Sequence, residues 1–136
     1  MNDLIKIEVI TTADSEQIKS LYKEAGWWDE NDGTNLVQKI VQGSFCFVVA
    51  AIDKRLIGMG RAISDGACDA YIQDVVVSSA FRGKGIGARI VGELITYLKS
   101  KNINWITLIS EPDAVPFYQK YGFSQMLEYV PFMFKK

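Results

Sequence analysis

Three valines, a basic loop with three glycines and a helical apolar stripe follow one another without a break, and they restrict this chain more than any other stretch. Val75-Val76-Val77 is β-branched and reads as strand, and its side chains read as central-sheet core. Ile86, Ile90, Val91, Leu94, Ile95 and Leu98 recur at helical spacing, so a helix opens where the glycines end. Glycines at 83, 85 and 87 remove the side chains that would hold a ligand off the backbone, and the opening amides of the helix can then point outward together. Such a loop is an anion site. The helix dipole adds partial positive charge, and Arg82 and Lys84 add full charges, which suits a diphosphate better than a neutral ligand.

The order strand, short loop, Arg/Gln-x-x-Gly-x-Gly/Ala, helix, with Arg82, Gly85 and Gly87 at the defining positions, resembles the pyrophosphate loop of the GNAT acetyltransferases. A second stretch, Pro116-Phe117-Tyr118-Gln119-Lys120-Tyr121-Gly122-Phe123, resembles that family's other hallmark, a short helix ending in Phe-Tyr-x-Lys-x-Gly-Phe. The resemblance is best over Ile72 to Phe123. It implies acetyl-CoA as acyl donor, held by the backbone of Val75, Val76 and Val77, by Arg82, Gly83, Lys84, Gly85, Ile86, Gly87 and Ala88, and by Phe117. Glu111 departs from the pattern, standing where many members carry an asparagine that helps hold the coenzyme. Two other readings of the loop remain. Gly83-x-Gly85-x-x-Ala88 fits a dinucleotide fingerprint, with Glu111 as the acidic residue after the next strand. Five residues, Ser78 to Arg82, separate Val77 from Gly83, however, and only about 25 residues follow Glu111, too few for the rest of a doubly wound sheet. Glycines that merely tighten a strand-to-helix turn would leave Arg82 and Lys84 unexplained.

At 136 residues the chain reads as one domain, residues 1–136, without linker or repeat. Leu4 to Ile10 suggests a strand, and Ile18, Leu21, Tyr22 and Ala25 the inner stripe of a helix stopped by Gly26. A second short helix is expected from Asn35 to Val41. Phe45 to Ile52, Leu56 to Gly60 and Ala70 to Val77 read as an antiparallel meander with a turn at Asp53-Lys54. After the long helix, Trp105 to Ile109 reads as a strand parallel to the one before it, Pro116 to Tyr121 as a short helix, and Phe123 to Phe134 as a last strand or strand pair. The whole is an α/β fold, with a mixed, mainly antiparallel central sheet flanked by helices on both faces, as the GNAT resemblance also implies.

The net charge of −1 offers no global attraction to nucleic acid or an anionic membrane. No stretch approaches a membrane-spanning length, the first residues lack the features of a signal peptide, and the chain reads as cytoplasmic. Without histidine or a Cys-x-x-Cys pair, no metal site is expected, and Cys46 and Cys68 read as reduced, partly buried thiols.

Acetyl transfer to an amine needs alignment, a route for the amine's proton, donors for the oxyanion and a proton for the leaving thiolate. By the resemblance, Tyr118 is the general acid; packing under the last strand is its other reading. Tyr71 and Gln73 share one strand face by alternation, and by the resemblance they sit where other members place a histidine or glutamate as the base; Asp74 on the opposite face is the candidate for relaying a proton through water or for holding a loop. Trp27 and Trp28, beside Asp29, Glu30 and Asp32, are candidates for an aromatic, acidic wall that selects a cationic amine. The function expected is transfer of acetyl from acetyl-CoA to a small primary amine by direct attack in a ternary complex, with a polypeptide amine also open. A coenzyme A-binding sensor without turnover and a small dinucleotide-binding module are the alternatives. The apolar tail Val130 to Phe134 suits a homodimer contact.

Overall fold

The structure of the chain, a computed structural model, describes residues 4–33 and 35–135; Met1 to Asp3, Thr34 and Lys136 lie outside the described residues. Five strands form one sheet in the order of the sequence: β1 (Ile5–Ile10), β2 (Cys46–Ile52), β3 (Arg55–Ile63), β4 (Asp69–Val77) and β5 (Trp105–Leu108). The first four are antiparallel neighbours. β5 joins β4 in parallel because α3 (Ile86–Ser100) carries the chain back across the sheet between them.

The apolar periodicities become two cores, one on each face. On one face Ile86, Ile90, Leu94 and Leu98 of α3 pack on Val48, Ala50, Ile57, Ala62, Ala70 and Ile72. On the other, α1 (Ser15–Glu24) and α2 (Leu36–Gly43) bring Ile18, Leu21, Tyr22, Val37 and Val41 onto Phe47, Val49, Met59 and Val76. Asp14 caps α1 by accepting from the Glu16 amide at 3.0 Å, and Gly26, at φ 80°, takes the chain out of the helix. α3 lies close to the sheet because Gly58 and Gly60 on β3 have no side chain; a Cβ there would come within 2.9 and 2.8 Å of Ile90.

Most expected elements are present within a residue or two of their expected ends, including α4 (Val115–Lys120). The last strand is the exception. Among the described residues, nothing after Gly122 is strand, and the backbone of residues 124–135 makes no hydrogen bond. Apolar β-formers give a segment its propensity, but a strand exists only when its N–H and C=O groups meet a neighbouring edge. Cys68 is also exposed rather than partly buried, whereas burial pushes the Cys46 thiol up to about 12. No helix among the described residues is long and apolar enough to cross a membrane.

Candidate active site

The glycine loop leaves β4 through a single 3-10 turn at Ser79–Phe81 and enters α3 at Gly85. Gly83 and Gly85 both sit at φ 78°, in the left-handed region, and a Cβ on either would meet no atom within 4 Å. The space before the helix is therefore open, and the first backbone bond of α3, Arg89 N–H to Gly85 O at 3.2 Å, leaves the amides of Ile86 to Ala88 ahead of it. Gly87 has a different job. A Cβ there would lie 3.3 Å from Phe117 and 3.7 Å from Val77, so this glycine lets α4, α3 and the end of β4 converge. Ile86 points inward and is buried with the α3 core, which leaves its amide as the group facing the loop.

The loop is held from behind. Arg82 Nε donates to Val77 O at 3.0 Å, tying the basic residue to the strand end, and Lys84 Nζ lies 5.5 Å above the Phe81 ring, as does Arg55. The Glu24 carboxylate accepts from the Ser79 amide at 2.6 Å and the Ser78 hydroxyl at 3.1 Å, and the Ser79 amide, first among the causes, holds the carboxyl below its ordinary range. Glu24 lies off the inner stripe of Ile18, Leu21, Tyr22 and Ala25. No local signal links it to residues some fifty positions on; only the packing of α1 against the β4 end does so.

β4 and β5 pair from Asp69 with Trp105 to Ile72 with Leu108, and there the ladder stops. β4 continues for five more residues, Gln73 to Val77, with β3 alone as its neighbour among the described residues. The two strands thus part at the end nearer the glycine loop, and the backbone of Val75, Val76 and Val77 borders the opening. Their side chains are core, Val75 and Val77 towards α3 and Val76 towards α1 and α2.

Tyr118 on α4 is half-buried, its ring edge-on to Phe117 at 5.0 Å and to Phe123 at 5.7 Å. Burial, and then the Glu111 carboxylate, raise its phenol above the ordinary value, so it stays protonated. Among the described residues no group accepts from its hydroxyl, and no hydrogen bond or ring contact joins it to Asp74.

Strict alternation would put Asp74 across the sheet from Tyr71 and Gln73. The structure puts all three on the α1/α2 face. Asp74 sits at φ 60° where the β3–β4 register shifts, so two successive residues, Gln73 and Asp74, follow the inward Ile72 before Val75 turns to the α3 side. Its carboxylate accepts from Arg61 Nε at 2.8 Å and from the Tyr22 hydroxyl at 2.7 Å, both at the same oxygen. Burial, and next the bond to Asp74, push the Tyr22 phenol far above its ordinary value; Tyr71 is raised by burial and by the same carboxylate. Arg61 and the polar end of Tyr22 were missing from the sequence reading, which saw Tyr22 as core alone.

Both tryptophans lie against Tyr22, Trp27 at 6.4 Å and Trp28 at 6.5 Å between ring centroids. Trp28 packs on the α1/α2 core with Lys19 over its ring at 5.5 Å, while Trp27 is exposed. Asp29 and Asp32 accept from amides of their own turn, and Glu30 pairs with Lys23 at 3.5 Å on the surface.

The profile of the acetyltransferase (GNAT) domain matches residues 11–130. The chain is similar to the uncharacterized N-acetyltransferase ycf52 of Pyropia yezoensis, 39% identical over 62% of this chain and 52% of that protein. It is similar to the histone acetyltransferase TAP1 of Glycine max, 42% identical over 60% of this chain and 35% of that protein. The chain thus spans about half of one of these relatives and about a third of the other. The fold is shared with a GNAT-family acetyltransferase of Streptococcus pneumoniae TIGR4, with a TM-score of 0.82 at 22% identity over 97% of this chain and 98% of that one.

Proposed function

The chain belongs to the GNAT acetyltransferase family, and on that premise we propose that it transfers acetyl from acetyl-CoA to a primary amine by direct attack in a ternary complex. The observation that carries this reading is the parting of β4 from β5 beside a glycine loop with nothing in front of it. Acetyl-CoA supplies an acetyl thioester that is already activated towards an amine. The amides of Gly83 to Ala88, with Arg82 and Lys84, hold the diphosphate; the open φ 78° glycines and the α3 dipole fit an anion there. The backbone of Val75 to Val77 holds the pantetheine arm and directs its donors at the thioester oxygen. Phe117, fixed against Gly87, closes that side of the loop.

Tyr118 gives its proton to the departing thiolate, and its raised phenol keeps that proton available at neutral pH. One oxygen of Asp74 already accepts from both Arg61 and Tyr22, so we assign it a holding role rather than that of the base. Its part is to hold the bulge and the Tyr22 end of the acceptor wall, and the amine's proton leaves through water. Trp27, with Tyr71 and Gln73 from the same face of the sheet, borders the acceptor, a small primary amine. A polypeptide amine is the other acceptor class; the name of the soybean relative specifies a histone.

With Asp74 held by Arg61 and Tyr22, a second reading is a coenzyme A-binding module without turnover. Titration with acetyl-CoA and with NAD, followed by thiol release on a panel of small amines and lysine peptides, separates the readings. Acetyl-CoA binding with amine-dependent thiol release is expected. Binding without release on any amine points to the module, and absence of acetyl-CoA binding overturns both.

A further inference from the structure

Phe81 carries two positive charges, and the diphosphate site accounts for only one of them. Its half-buried ring packs against the core beneath α3, and the Arg55 guanidinium and the Lys84 ammonium each lie 5.5 Å from its centroid. Lys84 belongs to the glycine loop, whereas Arg55 opens β3 on a separate hairpin. The backbone around Arg55 is gripped from both sides. Gln17 on α1 donates from Nε2 to Lys54 O at 3.0 Å, and its Oε1 accepts from the Leu56 amide at 2.8 Å. The Ser78 amide, donating to Ile57 O at 2.8 Å, ties this end of β3 to the start of the loop.

Two like charges drawn to one ring gain from its face but repel each other, and an anion beside the ring turns that repulsion into attraction. Among the described residues no carboxylate pairs with either cation. The Glu24 carboxylate by the loop is taken up by the Ser79 amide and the Ser78 hydroxyl. On the premise that the glycine loop takes acetyl-CoA, we propose that Arg55 and Lys84, on the Phe81 platform, bind the phosphomonoester on the ribose of that coenzyme. The same molecule brings this second phosphate close to its diphosphate, and Lys84 is shared between cradle and platform. A phosphomonoester carries nearly two negative charges at neutral pH and three acceptor oxygens, which matches two cations, one of them a guanidinium able to meet two oxygens at once. Arg55 is thereby the residue that selects a donor bearing the ribose phosphate. Both cations are exposed, so the selection weakens as salt rises.

Calorimetric titration of the full chain with acetyl-CoA and with dephospho-acetyl-CoA, which lacks only the ribose phosphate, reads the selection directly. The parent is expected to bind acetyl-CoA at least about tenfold more tightly at low salt. Arg55→Ala is expected to bring that ratio below about threefold while affinity for dephospho-acetyl-CoA stays within about twofold of the parent's. Arg55→Gln, which keeps the stem over the ring, is expected to do the same, and Arg55→Lys, which keeps the charge without the fork, to retain part of the ratio. A parent that binds both donors equally, or Arg55→Ala and Arg55→Gln variants with the parent's ratio, would overturn the proposal and leave the acetyl-CoA reading standing. Equal weakening towards both donors would also overturn it, because Arg55 then serves the fold or the diphosphate. A parent that binds neither donor would remove the acetyl-CoA reading, and this proposal with it.

Discussion

Gly85 offers a way to separate the strain of the loop from its electrostatics. At φ 78° it occupies a region that costs an L-residue about 1–2 kcal/mol, so Gly85→Ala and Gly85→Glu should lose stability by that same amount. The Cβ itself meets nothing within 4 Å, so no steric clash is added in either variant. Affinity for acetyl-CoA should divide them. Alanine leaves the opening amides of α3 in place and should keep affinity within about tenfold, the scale of ~1.4 kcal/mol. Glutamate puts a carboxylate in the open space before the helix, where repulsion from a phosphate charge at ~4 Å and an effective dielectric of ~20 is about 4 kcal/mol, roughly a thousandfold. Calorimetric titration beside a thermal melt of each variant reads both quantities. If the two variants melt alike and also bind alike, the loop does not face an anion, and the reading of the site as a diphosphate cradle is refuted.

Tyr118→Phe keeps the packing against Phe117 and Phe123 and should leave melting and acetyl-CoA affinity nearly unchanged while slowing turnover roughly 10²-fold; full activity would remove its role as acid. Gly60→Ala would place a Cβ 2.8 Å from Ile90 and 3.2 Å from Leu94 and should cost about 1–3 kcal/mol in a denaturant melt. Gly92→Ala, in the same α3 but with nothing within 4 Å, should gain up to about 1 kcal/mol, and a shared sign for the two would contradict the packing described. Glu24 has a lowered folded value, so its contribution is complete above the ordinary 4.5 and disappears as pH falls through that lowered value. Glu24→Gln should therefore melt below the parent at pH 7, with the two converging in acid; a constant gap across that range would mean that the charge does not hold the loop.

What the sequence determined by itself was everything that local chemistry dictates. Val75 to Val77, the glycines at 83 and 85 and the stripe from Ile86 to Leu98 fixed a strand, an open glycine loop and a helix, because β-branching, freedom at positive φ and 3.6-residue spacing are properties of neighbouring residues. Tertiary structure decided what depends on distant partners. The bulge at Asp74 turns the carboxylate to the face of Tyr71 and Gln73, because the register of β3 absorbs an extra residue there, and a pattern of period two contains no sign of it. Arg61, Tyr22 and Asp74 form one network although they lie on three elements, and Glu24 reaches Ser79 only because α1 packs across the sheet. Phe123 to Phe134 shows the same division in reverse. Its residues favour a strand, yet strand is a relation between two backbones, and within the described chain the second backbone is missing.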